Sequence, residues 1–191
     1  MPLGYPTLEF PPGSGRAADP ISAMSMERIL FITGEVEDYM ANQMVANLLY
    51  FNAQSVKDPI HLYINSDGGS ISSGLAIYDT INYIKAPVTT TCLGSASSMA
   101  AFLLAAGSRG ERRALKHSRI MIHQPIGGIG RRQASDLLIE ASEMAFTKRK
   151  MNECMAEMTG QTIDKIEKDT DRDYHLSAFE ALRYGIIDSV V

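Results

Sequence analysis

The sequence predicts an α/β protein with a mainly parallel sheet. Short apolar stretches rich in β-branched residues alternate along the chain with longer stretches whose apolar residues recur at helical spacing. Strands that alternate with helices are typical of parallel sheets, because parallel strands need a long crossover connection, which is usually a helix. The 191 residues fit one domain and are enough to bury a sizeable core.

The first part of the chain differs in composition from the rest. Residues 1–20 are rich in proline and glycine, which indicates a segment that is mobile or ordered by a partner. From Arg28 onward the apolar periodicity becomes regular. We therefore divide the chain into an N-terminal arm, 1–27, and a single domain, 28–191, which includes a long helix at about 134–158.

The elements of that domain follow from two periodicities. Apolar β-branched runs predict strands, and apolar residues three and four positions apart predict helices. The segment 98–107 is apolar all round, which predicts a buried helix, and Gly160 gives the long helix its stop. Strands are predicted over 28–34, 59–65, 88–94, 119–123 and 186–191, and helices over 38–54, 72–85, 98–107, 134–158, 162–170 and 177–185.

Charge and composition argue against several classes of function. The net charge of -4 gives no signal for binding nucleic acid or an anionic membrane, and no apolar run is long enough to span a bilayer. Cys92 and Cys154 are too few and too far apart for a disulfide framework or a zinc-finger spacing. No secretory signal is evident at the N-terminus. We expect a protein of a reducing compartment that binds neither nucleic acid nor membrane.

Three serines lie where the strand at 88–94 gives way to the buried helix: Ser95, Ser97 and Ser98. A nucleophile elbow places a serine on a sharp strand-to-helix turn, with small residues two positions before and after it. Ser98 fits this pattern best, because Ala96 and Ala100 flank it at those positions. A serine at a helix start can also serve only as a cap or as a small packing residue, and that alternative stays open here.

Of the four histidines, His123 alone follows a buried strand at its carboxyl end. Functional groups of open α/β sheets gather beyond the carboxyl ends of the strands, so His123 can be a neighbour of Ser98. His61 lies early in its strand, while His117 and His175 lie in charged surroundings. A histidine at a strand end can also be purely structural.

A histidine that acts as a general base is oriented by a third, acidic group. The charged segment before the last helix offers four carboxylates, and spacing alone does not choose among them. A solvated charge run is the simpler interpretation of the same segment. The four candidates are Glu167, Asp169, Asp171 and Asp173.

The turn after the strand at 59–65 contains Gly68 and Gly69. Glycines adopt conformations closed to other residues and expose their N–H groups, which suits the stabilisation of an oxyanion. The simpler interpretation is a tight turn into the next helix, with Ser66 or Asp67 as the helix cap. A phosphate-binding loop is not indicated, because its lysine pattern is missing from the sequence.

Several motifs, in order, resemble the proteolytic subunit of the Clp protease, the ClpP family: LYINSDGGS, GLAIYDTINYIK, ASSMAAFLLAAG, MIHQPIGG, TGQTIDKIEKDTDRD and ALRYGIID. The resemblance runs from about Arg28 to the end of the chain. It implies the ClpP/crotonase-type α/β fold, a spiral of ββα units from which a handle helix protrudes. The order serine, histidine, aspartate along the chain is also the order in that family.

The resemblance implies a serine endopeptidase that needs neither a metal nor another cofactor. By motif position, the nucleophile falls on Ser98, the general base on His123 and the aspartate of the triad on Asp173. The oxyanion donors fall on the backbone N–H groups of Gly69 and Met99.

The resemblance also implies an assembly and partners. Two stacked seven-membered rings would enclose a chamber, with Asp171 and Arg172 at contacts between the rings, the handle helix interlocking them and the N-terminal arms lining an axial pore. An AAA+ unfoldase of the ClpX, ClpA or ClpC type would deliver unfolded polypeptides. Mixed rings with another ClpP-type subunit are an alternative to a homo-oligomer. The expected location is the bacterial cytoplasm, or else an organelle of bacterial descent.

Two departures from the family pattern lie beside the expected site. Asp67 stands where the family commonly has proline, and Arg131 and Arg132 stand where glycine and glutamine are common. Two other functions remain open. One is a ring subunit that is inactive alone and structural or regulatory in mixed rings. The other is a crotonase-type acyl-CoA enzyme, which would need a placed glutamate as acid/base and would not need His123.

Overall fold

The structure, a computed structural model, describes residues 7–9, 11, 13, 15, 17–127 and 133–191. These described residues form nine strands and seven helices, which alternate one by one from α1 to α4. The strands are β1 (Leu8–Glu9), β2 (Ala17–Ala18), β3 (Ile29–Val36), β4 (Ile60–Gly69), β5 (Val88–Ser97), β6 (Arg112–Ala114), β7 (Arg119–Ile122), β8 (Tyr174–Ser177) and β9 (Ser189–Val190). The helices are α1 (Pro20–Met26), α2 (Asp38–Gln54), α3 (Ile71–Tyr83), α4 (Met99–Ala105), α5 (Ala134–Thr159), α6 (Ile163–Asp169) and α7 (Ala178–Tyr184).

Strands β3 to β9 form one seven-stranded sheet, and its strand pairs within the described residues are parallel except for β7 with β8. One edge of β5 pairs with β4. Along its other edge, the first half of β5 pairs with β6 and the second half with β7. The sheet therefore splits beyond the middle of β5. The predicted α/β class with a mainly parallel sheet is confirmed.

The core lies between this sheet and the helices that cover it. Helix α4 is buried along its whole length and packs against β4, β5 and β7. The helix is buried because it has apolar residues on every side, as the sequence predicted. The largest fully buried side chains include Ile32, Leu62, Ile64, Phe102, Leu103 and Ile120.

Strands β3, β4 and β5 run further than the sequence predicts, and the sequence missed helix α1 and the short strands β1, β2, β6 and β8. Strands β4 and β5 continue to Gly69 and Ser97 although their last residues are small or polar, because neighbouring strands extend the ladder. Strands β6 and β8 carry charged or polar residues and have no apolar signal. The last strand is shorter than predicted, with only Ser189–Val190 paired.

Helix α5 matches the predicted handle helix closely. It ends at Gly160, whose left-handed φ of 75° is the usual conformation after a helix end. Its C-terminal part contacts α4 and α6, while large apolar residues further towards its N-terminus, such as Leu138 and Phe146, are exposed. None of the helices in the described residues is long and apolar enough to cross a membrane.

The division into an arm, 1–27, and a domain, 28–191, stays a prediction. Helix α1 lies within that arm and begins after Asp19, whose carboxylate accepts the Ile21 and Ser22 N–H groups. Ala23 of α1 is buried and the helix contacts β3. The C-terminal end of the arm therefore packs on the domain.

Candidate active site

Ser98 occupies a strained turn between a strand and a helix. Strand β5 ends at Ser97 and α4 begins at Met99, so the chain reverses at this single residue. Its φ of 55° and ψ of -123° are rare for a residue with a side chain, and its hydroxyl makes no capping bond to the helix. The backbone is held by the Ser98 N–H, which donates to the Met121 carbonyl at 2.8 Å. This is the geometry that a nucleophile elbow requires.

The register of the sheet brings His123 to Ser98. Strands β5 and β7 pair in parallel with Ser97 opposite Met121, so the residues just beyond the two strands are neighbours. His123 Nε2 lies 2.7 Å from Ser98 Oγ, within hydrogen-bonding distance. The His123 side chain is only 13% exposed, so it has little room to leave this position.

Antiparallel pairing brings Asp173 to the other side of the same imidazole. Strand β8 runs against β7, with Tyr174 opposite Ile122. Asp173, just before β8, therefore lies beside His123, just after β7. The Asp173 Oδ1 atom is 3.3 Å from His123 Nδ1, and the carboxylate stays 61% exposed.

The other three acidic candidates in this segment do not contact His123. Asp169 accepts hydrogen bonds from Lys165 and from the Tyr184 hydroxyl. The Asp171 side chain faces Gln124 instead, with its Oδ1 3.4 Å from Gln124 Nε2. Glu167 is exposed on α6. Among the four candidates, the geometry selects Asp173.

Gly68 packs directly against the serine turn. Its φ is 95°, and a Cβ atom there would lie 2.6 Å from the Ser97 carbonyl oxygen and 2.8 Å from Ser98 Cβ. Ser66 holds the turn on the other side, since its hydroxyl accepts the Gly68 N–H at 3.1 Å. A side chain at position 68 would therefore displace Ser98.

The next glycine, Gly69, and Met99 face the same cleft as Ser98. A Cβ at Gly69 would collide with the Val36 backbone, so this position also needs glycine. Met99 is the first residue of α4, where a backbone N–H has no partner inside the helix. The predicted alternative, in which Ser66 or Asp67 caps the following helix, is wrong. Ser70 is the cap, because β4 extends through both glycines.

An apolar cleft of about 240 Å³ adjoins the Ser98–His123 pair. Most of its lining comes from α4, α5, β7 and the segment 123–126 that follows β7. The cleft can hold the side chain of a residue whose carbonyl lies at Ser98. Its apolar walls include Ile71, Phe102, Met121, Ile126, Met151 and Met155, and Asn152 is a polar member of the lining.

Gln124, which the sequence reasoning missed, ties three elements together at the site. Its N–H donates to the Thr170 carbonyl at 2.6 Å, and its Nε2 donates to the Asp171 carbonyl at 2.8 Å. Its Oε1 accepts a hydrogen bond of 2.9 Å from Lys148 on α5. Gln124 therefore fixes the segment that carries Asp173 next to the end of β7. Its place directly after His123 was the only signal in the sequence.

The two departures from the family pattern have different outcomes. Asp67 is exposed at the rim of the cleft, where the Ser95 hydroxyl lies 3.4 Å from its Oδ1. Arg131 and Arg132 lie outside the described residues.

Further from the cleft, Arg172 is 92% exposed, and its Nε lies 4.0 Å from Asp171 Oδ2. A metal site is not formed by the described residues, in which no three His, Cys, Asp or Glu side chains converge.

A serine on a strained turn, hydrogen-bonded to a histidine whose other nitrogen faces a carboxylate, is the arrangement of a serine hydrolase. The sequence model of the Clp protease family matches residues 12–191. The ATP-dependent Clp protease proteolytic subunit 3 of Synechococcus sp. (strain CC9902) is 56% identical over 194 residues, covering 100% of this chain and 97% of that protein.

Two other similar proteins are also proteolytic subunits of Clp proteases. The ATP-dependent Clp protease proteolytic subunit 2 of Prochlorococcus marinus (strain NATL2A) is 56% identical, covering 100% of this chain and 97% of that protein. The proteolytic subunit 1 of Gloeobacter violaceus is 47% identical, covering 100% of this chain and 98% of that protein. The chain belongs to the Clp protease family and is a peptidase with the mixed α/β fold of that family. The resemblance read in the sequence is confirmed.

Proposed function

We propose that Ser98, His123 and Asp173 form the catalytic triad of a serine endopeptidase that cleaves unfolded polypeptides. The observation that carries this proposal is the 2.7 Å distance between His123 Nε2 and Ser98 Oγ, at a serine held in a strained turn. Asp173 beside His123 Nδ1 completes the arrangement. The distances between these three groups support an active site, and the alternative of a subunit without activity is not favoured.

The first half of the reaction forms an acyl-enzyme. The Nδ1–H of His123 donates a hydrogen bond to the Asp173 carboxylate, which leaves Nε2 unprotonated. Nε2 can then take the Ser98 proton as Oγ attacks the peptide carbonyl carbon. The carbonyl oxygen becomes negative and is stabilised by the N–H groups of Gly69 and Met99. The C–N bond then breaks, and His123 returns its proton to the leaving amine.

The second half restores the enzyme. Water takes the place of the amine, and His123 removes a proton from it as its oxygen attacks the ester carbon. The same two backbone N–H groups stabilise the second oxyanion. Ser98 leaves with the proton from His123, and the new carboxylate is released. Neither a metal nor another cofactor enters any of these steps.

Unfolded chains would reach Ser98 through an assembly. We assign the family's two stacked seven-membered rings to this chain, with Asp171 and Arg172 at contacts between rings and α5 interlocking them. The exposure of Arg172 and of apolar residues on α5, such as Leu138, supports these contacts. An AAA+ unfoldase of the ClpX, ClpA or ClpC type would spend ATP on unfolding and deliver the polypeptide past the N-terminal arms.

The ring composition and location are part of the same proposal. The names of the relatives carry subunit numbers 1, 2 and 3, which supports mixed rings with another proteolytic subunit as well as a homo-oligomer. These relatives belong to cyanobacteria and related strains, which supports the bacterial cytoplasm as the location.

The test is hydrolysis of an unfolded protein and of a fluorogenic peptide by the purified chain. It is run alone, with a second proteolytic subunit, and with a Clp unfoldase and ATP. We expect Ser98→Ala to remove hydrolysis and Ser97→Ala, the matched control one residue away, to retain most of it. An acyl-CoA thioesterase activity that survives Ser98→Ala would contradict the proposal and favour the crotonase-type alternative.

A further inference from the structure

Asn152 carries a buried amide that has no partner among the described residues. The residue is only 3% exposed, although it lies on α5 between residues that are more open. Its Nδ2 atom is the one buried side-chain nitrogen or oxygen, within the described part of the chain, without a hydrogen bond. Burying an unpaired donor is unfavourable, and native structures contain few of them, so this one calls for a physical reason.

The position of Asn152 supplies that reason. Asn152 lines the same cleft as Ser98 and His123, and its neighbours on α5, Met151 and Met155, line that cleft too. Apolar side chains supply most of the surrounding wall. The amide of Gln124, which also lines the cleft, donates to the Asp171 carbonyl, whereas the Asn152 amide is unpaired. An unpaired amide donor in a mainly apolar cleft beside the proposed nucleophile is the pattern of a specificity pocket, in which few polar groups select the ligand.

A substrate bound for attack reaches this amide with one particular side chain. The carbonyl carbon must sit within reach of Ser98 Oγ while its oxygen faces the Met99 N–H. The side chain of that same residue, the acyl residue, then enters the adjoining cleft. Methionine side chains rotate readily, so Met151 and Met155 can move aside and let the acyl side chain approach Nδ2.

We propose that Asn152 is a specificity-determining residue, whose Nδ2 donates a hydrogen bond to the end of the substrate's acyl side chain. This inference rests on the proposed peptidase site at Ser98. The matching side chain is unbranched, with an apolar stem and a neutral terminal acceptor, and glutamine meets these requirements. A charged acceptor such as glutamate fits less well, because a carboxylate is costly to bury among apolar side chains.

The test compares two fluorogenic peptides that differ only in the acyl residue, glutamine in one and norleucine in the other. Both side chains are unbranched, but norleucine has no acceptor. The assembled protease is used, with its unfoldase and any second subunit that it needs, and kcat/KM is measured for each peptide. The glutamine-to-norleucine ratio within one variant cancels any effect of that variant on the activation of Ser98.

Asn152→Leu keeps a similar volume and removes the donor, so we expect the ratio to fall roughly tenfold. Asn152→Met, also without a donor, is the second variant if Asn152→Leu does not fold, with the same expected fall. Met158→Leu is the matched control, since Met158 lies on the same helix but lines a different cavity. It should leave the ratio within about twofold of the wild-type value.

One outcome would overturn the inference while leaving the peptidase proposal intact: a ratio that changes less than twofold in the Asn152 variants. If both activities fall equally, the ratio is likewise unchanged and Asn152 is a purely structural residue. If the wild-type protease cleaves neither peptide and Ser98→Ala behaves the same, the peptidase proposal itself fails and the inference falls with it.

Discussion

At the scale of single residues, the serine turn depends on the glycine packed against it as much as on Ser98. The strained Ser98 backbone leaves its hydroxyl beside His123, and Gly68 lies against Ser97 and Ser98 with no space for a Cβ. A shift of about 1 Å in a reacting group can reduce a rate by as much as a hundredfold. The fit of Gly68 is therefore a condition for the proposed reactivity of Ser98.

We predict that Gly68→Ala lowers the rate at which a fluorophosphonate labels Ser98 by at least about tenfold. The added Cβ would force Ser98 away from His123. Gly110→Ala is the matched control, because Gly110 has a similar φ of 89° but open space around its Cβ position. Both variants should lose about 1 kcal/mol or more of unfolding free energy from backbone strain. Equal labelling rates in the two variants would contradict the prediction.

The residues alone favoured two members of the proposed triad and did not choose the third, for a physical reason. Ser98 stood out because small residues flank it at the two positions that an elbow requires, and His123 because it ends a buried strand. The choice of Asp173 depends on β8, whose antiparallel pairing with β7 sets the register. That strand has no apolar signal, so only the family resemblance pointed to Asp173.

At the scale of elements, one ion pair fastens the far edge of the sheet. The Arg112 guanidinium on β6 donates through Nε and Nη2 to both carboxylate oxygens of Asp188, just before β9, at 2.8 and 2.6 Å. Nη1 of Arg112 also donates to the Met158 carbonyl at the end of α5. The Arg112 side chain is only 6% exposed, so water cannot stabilise its positive charge and the Asp188 carboxylate must balance it.

The pair makes stability depend on pH. Burial alone would raise the pKa of Asp188, but hydrogen bonds from the Arg112 side chain and backbone and from the Gly110 N–H hold it below its ordinary value of 3.8. A lowered folded-state pKa stabilises the fold fully above the unfolded value, and this contribution is lost as the pH falls through the folded value. The wild type should therefore lose this contribution only below about pH 4.

We predict that Asp188→Asn lowers the unfolding free energy by about 3 kcal/mol at pH 7, because it leaves the buried Arg112 charge unbalanced. Urea unfolding from pH 7 to pH 2.5 measures this, and the gap between wild type and variant should narrow as Asp188 becomes protonated. Glu153→Gln, which alters an exposed pair with Arg149, is the control and should have little effect. A gap that stays constant with pH would refute this account of Asp188.

The elements that the sequence missed are those that an ion pair or a neighbouring strand holds in place. Helix α2 has a clear apolar periodicity, and its predicted bounds agree with the structure. Strand β6 includes Arg112 and Arg113, which suggest a solvated loop until the burial of Arg112 against Asp188 is known. Charged residues that are buried in pairs interrupt the apolar pattern, so the local sequence does not show that they lie in a strand.

At the scale of the whole molecule, α5 presents apolar surface that the described residues leave open. Leu138 is 74% exposed and Ile139 is 63% exposed, close to the N-terminal end of the helix. Adjacent apolar side chains left open on one element mark a contact with another chain. The proposed ring assembly gives this surface a partner.

We predict that Leu138→Glu weakens this assembly, because a carboxylate would have to be buried where an apolar side chain packs. Analytical ultracentrifugation should show a shift from the large assembly towards smaller species. Leu138→Met keeps the apolar surface and should sediment like the wild type. An assembly that is unchanged by Leu138→Glu would remove this part of α5 from the proposed contact.

The sequence predicts more about the fold of the single chain than about its assembly. The alternation of strands and helices in the sequence predicts the parallel sheet. This prediction succeeds because the sheet is formed by contacts within one chain. Ring size, ring composition and the unfoldase depend on surfaces of other chains, which one sequence does not contain. The apolar exposure of α5 supports a contact with another chain, whose identity only experiment can establish.

Fluorophosphonate labelling, with the adduct located by mass spectrometry, determines whether Ser98 is a nucleophile that His123 activates. We predict one adduct, on Ser98, that is lost in Ser98→Ala and in His123→Ala and retained in Ser97→Ala. An adduct on another serine, labelling that persists without Ser98, or no adduct even with a Clp unfoldase and a second subunit present would contradict this role of Ser98.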